Sequence, residues 1–214
     1  MDTQGKPLSR RRLFAVTGGA GASAALLAAC GDDGDTSTSA ATTTSTDKDQ
    51  MASQFGEGDL GIVNYALTLE YLEAGFYDAV ASSGLFKGDD LALIKQIGAT
   101  EQEHVDALVA TAKKLGGKPK RPKTNFDAVL EGGEKKVLET AAVVENLGAA
   151  AYLGQAANIE SPDILAAALS IHSVEARHAA VLNGLIGKPA TPDGAFAKPA
   201  DMQTVLDQVK PFLA

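Results

Sequence analysis

Apolar residues recur at steps of three and four along four separate stretches of the chain, and no stretch alternates convincingly with period two. This pattern predicts an all-α fold. The first helix runs from about Asp59, placed as an N-cap, to the turn at Ser82, Ser83 and Gly84. The second starts near Asp89 and ends at Gly116. The third begins around Glu134, after Gly132 and Gly133, and reaches about Asn158. The fourth has Ser161 as N-cap and Pro162 at its first position, and stops at Gly187. At about 1.5 Å per residue each is roughly 38 Å long. Short links join the first helix to the second and the third to the fourth, which makes each pair antiparallel. The link between the second and third, GGKPKRPKTNFDAVLEGG, can run the length of such a helix at about 3.3 Å per residue. Short, long, short describes an antiparallel four-helix bundle, residues 59–187, with one long crossover between helices 2 and 3.

The ends read differently. Residues 1–29 place Arg10, Arg11 and Arg12 before a weakly apolar run from Leu13 to Ala29 that holds Gly18, Gly19 and Gly21, which is signal-peptide chemistry. Ser9 to Phe14 resembles a twin-arginine export signal, and Leu27-Ala28-Ala29-Cys30 resembles a bacterial lipobox, so Cys30 is expected to carry lipid. Residues 30–58 are rich in Thr, Ser, Asp and Gly and poor in large apolar side chains, and are expected to form a disordered tether. In the tail, 188–214, Met202 to Val209 is a short amphipathic helix expected to pack across the bundle end.

Composition narrows the functional classes. The 214 residues carry 19 basic and 27 acidic side chains for a net charge of −8, which disfavours nucleic acid as a partner. Removal of the basic leader makes the remainder more acidic still. A single cysteine excludes an intrachain disulfide framework and any all-thiolate metal site. A metal, if held, has carboxylate and histidine ligands.

The core-facing seams contain residues that do not belong in a core. Helix one presents Val63, Ala66, Glu70, Glu73, Tyr77 and Val80, and helix two Ile94, Ile97, Glu101, His104 and Leu108. Helix three presents Leu138, Ala141, Glu145, Gly148, Tyr152 and Ile159, and helix four Ile164, Ala168, Ile171, Glu175, His178, Leu182 and Leu185. Carboxylates buried together repel and are costly to desolvate, and a central cation removes that cost. Glu101 with His104, and Glu175 with His178, each aim an oxygen and a nitrogen ligand from one helix face. The arrangement is also repeated. Glu70 and Tyr77 have the spacing of Glu145 and Tyr152, and each pair is followed by Glu-x-x-His on the next helix.

At these residues the chain resembles the ferritin-like di-iron carboxylate superfamily, and with its export signal it resembles the exported bacterial ferritin-like domain proteins. The resemblance implies Glu70 and Glu145 as terminal ligands, Glu101 and Glu175 as bridging ligands, and His104 and His178 as nitrogen ligands of two iron ions, or of one manganese and one iron. Tyr77 and Tyr152 match a tyrosine that hydrogen-bonds a terminal glutamate in relatives. Thr100 and Val174 stand where bacterioferritins often carry an aspartate that orients a histidine. Glu73 lies on the core seam where its counterpart in the second repeat is Gly148, so the site should be asymmetric; Glu73 is open as a seventh ligand, a base near the metals, or an exposed or hydrogen-bonded seam glutamate.

The function implied is a lipid-anchored protein on the outer face of the bacterial cytoplasmic membrane that oxidises ferrous iron or reduces O2 or peroxide. The alternative is a metal-binding or stress-protective module without turnover. A homodimer is compatible with the chain, whereas a storage cage does not suit a tethered N-terminus. Other features read blandly: His172 lacks the motif, Tyr65 and Tyr71 are packing or surface residues, Lys118 to Lys123 is a solvated loop, and Gly148 and Gly154 permit close helix approach.

Overall fold

The computed structural model describes residues 51 and 53–214, so the expected signal peptide, Cys30 and most of the expected tether lie outside the described residues. The described chain is helical: α1 Gly58–Ser82, α2 Gly88–Lys114, α3 Asp127–Glu131, α4 Gly133–Gln155, α5 Pro162–Leu185 and α6 Met202–Val209. Its one β feature is an isolated bridge between Thr124 and Leu213. The long helices pack chiefly as two hairpins, α1 with α2 and α4 with α5. The all-α bundle with its crossover is as expected, and so are α5's cap, where Ser161 Oγ accepts from Ile164 N at 3.4 Å, and the position of Pro162.

Most seam positions are buried, including Val63, Tyr77, Val80, Ile94, Ile97, Ala141 and Leu182. The seam fails at the end of α5. Leu185 is exposed, and Asn183 is buried instead, in a reciprocal amide pair with Asn146 of α4 at 3.1 and 3.3 Å. A helix of 3.6 residues per turn drifts from a seam of 3.5, and over α5 the drift carries Leu185 off the core. Asp59 also departs from expectation. Helix α1 begins one residue earlier, at Gly58, and the Asp59 carboxylate instead accepts from Glu160 N at 2.8 Å and Ser161 N at 2.9 Å. These amides precede α5, so Asp59 ties the start of one hairpin to the turn of the other.

The segment expected to be tether shortens at its C-terminal end. Met51 is buried, Phe55 meets Tyr65 edge-on at 5.5 Å, and Asn64 Nδ2 donates to Phe55 O at 2.8 Å. Met51 and Phe55 stand one helical turn apart, and together they supply an apolar stripe that the polar residues upstream lack.

Crossover and tail are built into one another. The crossover contains α3, an element the apolar pattern does not announce because it is a single turn that buries Val129 alone. Phe126 packs edge-on against Phe76 of α1 at 5.4 Å and meets Phe212 of the tail at 6.1 Å. Asn125 N donates to Phe212 O at 3.0 Å and Ala214 N to Lys123 O at 2.9 Å. The basic loop is solvated as expected, with Arg121 5.3 Å above the Tyr71 ring. Helix α6, capped by Asp201, buries Met202, Val205 and Val209. It lies on the side of the bundle and not across its end: Val209 stands beside Leu69 and Leu72 of α1 and Val144 and Leu147 of α4. What Gly154 admits is likewise the tail, since a Cβ there would lie 2.1 Å from Ala200 O.

Replacing Gly154 with Ala should therefore cost about 1–3 kcal/mol by overpacking against backbone. Gly184→Ala, where nothing lies within 4 Å, should be neutral or stabilising by up to about 1 kcal/mol. Melting temperatures of the pair, with proteolysis rates in residues 188–201, check both expectations.

Candidate metal centre

Glu70, Glu101, Glu145 and Glu175, one from each long helix, have no solvent-exposed surface, and Glu73 is 2% exposed. The helices bring each of them in at mid-length from a predicted seam position. His104 is buried and His178 half-buried. His172 stands apart from this group, with Nδ1 2.9 Å from Ala149 O, as its missing motif implies.

The carboxylates crowd around the imidazoles. His104 Nδ1 lies 2.9 Å from Glu101 Oε2, 3.2 Å from Glu175 Oε1 and 3.3 Å from Glu70 Oε2. His178 Nδ1 lies 2.8 Å from Glu101 Oε1 and 3.3 Å from Glu145 Oε2. One ring N–H can serve one acceptor, so three carboxylates gathered on one nitrogen exceed what hydrogen bonding can satisfy. Glu70 Oε2, Glu101 Oε1, Glu145 Oε2, both oxygens of Glu175 and Nδ1 of His178 are buried without a hydrogen-bond partner. Orphaned acceptors of this kind carry the full desolvation penalty unless a cation answers them.

Their ligand atoms form two sets. Glu70, Glu101, His104 and Glu175 can meet at one centre, and Glu101, Glu145, Glu175 and His178 at another, each within 4.8 Å. Glu101 and Glu175 belong to both. Each set could hold a cation, with two carboxylates common to both, and the oxygen and nitrogen donors fit first-row divalent metals. Two divalent ions would balance the four shared and terminal carboxylates.

The tyrosines hold the terminal carboxylates in place, and they do so across the repeat. Tyr152 OH donates to Glu70 Oε1 at 2.5 Å and Tyr77 OH to Glu145 Oε1 at 2.5 Å. Each terminal glutamate thus spends one oxygen on a tyrosine and turns the other toward a histidine. Thr100 donates its hydroxyl to Gln96 O of its own helix, so it does not replace a histidine-orienting aspartate. Glu73 belongs to neither donor set. A Cβ at Gly148 would lie 2.9 Å from Glu73 Oε1 and 3.0 Å from Glu175 Oε2, so the missing side chain makes the space in which these two carboxylates sit. The asymmetry read from Glu73 and Gly148 is a steric trade between the repeats.

A model of the ferritin-like domain family matches residues 58–188. The chain belongs to the ferritin-like domain family. No curated protein matches it. In this ferritin-like chain, no described helix is long and apolar enough to cross a membrane.

Without metal, the cluster is a proton trap. Burial raises Glu175 and Glu73 well above the usual carboxylate range, and neighbouring carboxylates raise them further. Burial lifts Glu70 to about 7 against the opposing pull of His104, and Glu145 is raised for the same reason against His178. Glu101 is the exception, because the two imidazoles overcome its burial and hold it at about 2. Burial disfavours charge on both histidines, yet their carboxylate neighbours raise His104 to about 12 and His178 to about 9. Burial, then the adjoining carboxylates, keeps Tyr77 and Tyr152 protonated as donors.

A group whose pKa is raised by folding stabilises below its unfolded value and loses that contribution as pH rises through its folded value. Glu70 loses it between its ordinary 4.5 and about 7, and His178 between 6.5 and about 9. Chelator-treated protein should therefore melt at progressively lower temperature from pH 5 to 9. Metal-loaded protein should show the reverse or no trend over that window, because protons compete with the metal. Calorimetry of both forms across the range checks the sign.

Proposed function

We propose that this ferritin-like chain holds a dinuclear iron centre, or a mixed manganese and iron one, and uses it to oxidise ferrous iron and reduce O2 or peroxide. The observation that carries the reading is the overlap of two donor sets at Glu101 and Glu175. These two would bridge the metals, Glu70 and His104 would complete one site, and Glu145 and His178 the other. The bound metals would supply the electrons that reduce the oxidant. The chain's own residues do the rest. Tyr77 and Tyr152 fix the direction of Glu145 and Glu70, and the surrounding apolar layer keeps bulk water from the carboxylates. Glu73, whose pKa is raised in the metal-free cluster by burial and then by Glu175, would stand beside that bridging residue.

The same reading places the protein outside the cytoplasmic membrane, tethered through lipid on Cys30. Support comes from the arginine run Arg10–Arg12 and from Leu27 to Cys30 in the sequence. Chains with Cys30→Ser should lose incorporation of labelled palmitate and move from the membrane to the soluble fraction; unchanged labelling would remove the tether from the proposal.

For the metal centre, wild-type chain from iron-supplemented cells should hold about two metal ions by elemental analysis. The Glu101→Ala, Glu175→Ala double variant should hold none while keeping its helical circular dichroism. Aerobic addition of ferrous iron should then give ferric absorbance faster with wild type than with the variant. Metal without that turnover would favour the non-catalytic metal-binding or stress-protective alternative. A wild type still empty after anaerobic ferrous reconstitution would overturn the di-metal reading.

A further inference from the structure

One end of the bundle holds a partly open cavity of about 340 Å³, lined by all four long helices. That is more than twice the roughly 150 Å³ hole that stays dry and takes up benzene in an engineered core, and it falls within the roughly 300–1,000 Å³ of small-molecule sites. The composition of the walls explains the space. Ala66, Ala151, Ala167 and Ala168 stand where larger side chains would close the bundle, and Val63, Leu69, Leu108 and Ile164 supply the apolar lining.

The polar features of the cavity are few and specific. Tyr152 forms part of its wall, and the hydroxyl of Tyr152 donates to Glu70, so an occupant would touch the side chain that holds one ligand of the metal cluster. Tyr65 is also in the wall, but its hydroxyl is buried away from the open space, near Asp201 of the tail, and the uncharged polar side chains of the lining are Thr111, Gln155 and Ser161. Among the charged lining residues, Asp59 and Asp163 outnumber Lys114, which disfavours an anionic ligand. We propose that this cavity is a binding site for a neutral, largely apolar small molecule carrying one hydrogen-bonding group, of the size and character of an alkylphenol. Such a molecule answers the apolar walls with its chain and the side chains of Thr111, Gln155 and Ser161 with its one polar group, and it rests against Tyr152.

The inference goes beyond the metal-centre reading, and its test needs no metal. Isothermal titration of the full chain, chelated and metal-loaded, with 4-hexylphenol should give saturable binding at one site per chain. Ala168→Phe, which fills the cavity from a half-buried position, should weaken that binding tenfold or more at an unchanged melting temperature. The anion 4-hexylbenzoate, of similar apolar size, should bind at least tenfold more weakly. Should Ala168→Phe not fold, Ala167→Leu on the exposed rim of the same wall takes its place, with the same weakening expected. Absence of saturable binding, or binding indifferent to the folded wall variant, would overturn the site. Equal affinity for the benzoate would overturn its assignment to neutral ligands.

Discussion

Five glutamates share the interior of one helical bundle, and their mutual repulsion is the constraint around which the rest is arranged. A carboxylate removed from water is costly alone, and in a group each one raises the cost of ionising the next. The chain meets this in layers. Two imidazoles stand within hydrogen-bonding distance of the carboxylates, two tyrosine hydroxyls satisfy the outer oxygens of Glu70 and Glu145, and the inner oxygens are left facing one another for cations to satisfy. The cluster could therefore hold cations, which would relieve this repulsion. Its metal-free form survives by binding protons.

The internal repeat accounts for both the symmetry of the centre and its departures. Each hairpin supplies a glutamate, a tyrosine two turns on, and Glu-x-x-His from the following helix. Exchange across the repeat, Tyr152 to Glu70 and Tyr77 to Glu145, locks the hairpins together at the level of the carboxylate cluster, so neither half can form it alone. The symmetry is broken where it matters chemically. Gly148 leaves the space that Glu73 uses, which sets an extra buried carboxyl of raised pKa beside Glu175. The cavity lies on the Tyr152 side.

Outside the cluster, the segments beyond the four long helices close the bundle. Helix α6 covers the groove between α1 and α4 with Val209, and the tail's last residues bond to the crossover. Met51 and Phe55 join the same apolar core from the other end of the described chain. Asp59 adds a polar tie between hairpins. These contacts seal the α1–α4 side of the carboxylate layer, where water entry would weaken its electrostatics.

The helices, their order, the crossover and the six residues that cluster at the centre are legible from the chain alone, because helical periodicity is local and a glutamate at an apolar seam position contradicts its surroundings. The motif spacing then picks out Glu70, Glu101, His104, Glu145, Glu175 and His178 without coordinates. Tertiary structure decided what depends on distant segments meeting. The tyrosines pair across the repeat, Asp59 caps a neighbour's turn in place of its own helix, Gly154 yields to the tail, and α6 lies along the bundle side. No local pattern encodes these choices, since each is set by which backbone happens to stand opposite. The cavity is the clearest case: no local pattern marks the alanines at 66, 151, 167 and 168, and only the meeting of four helices at that end leaves empty space between them.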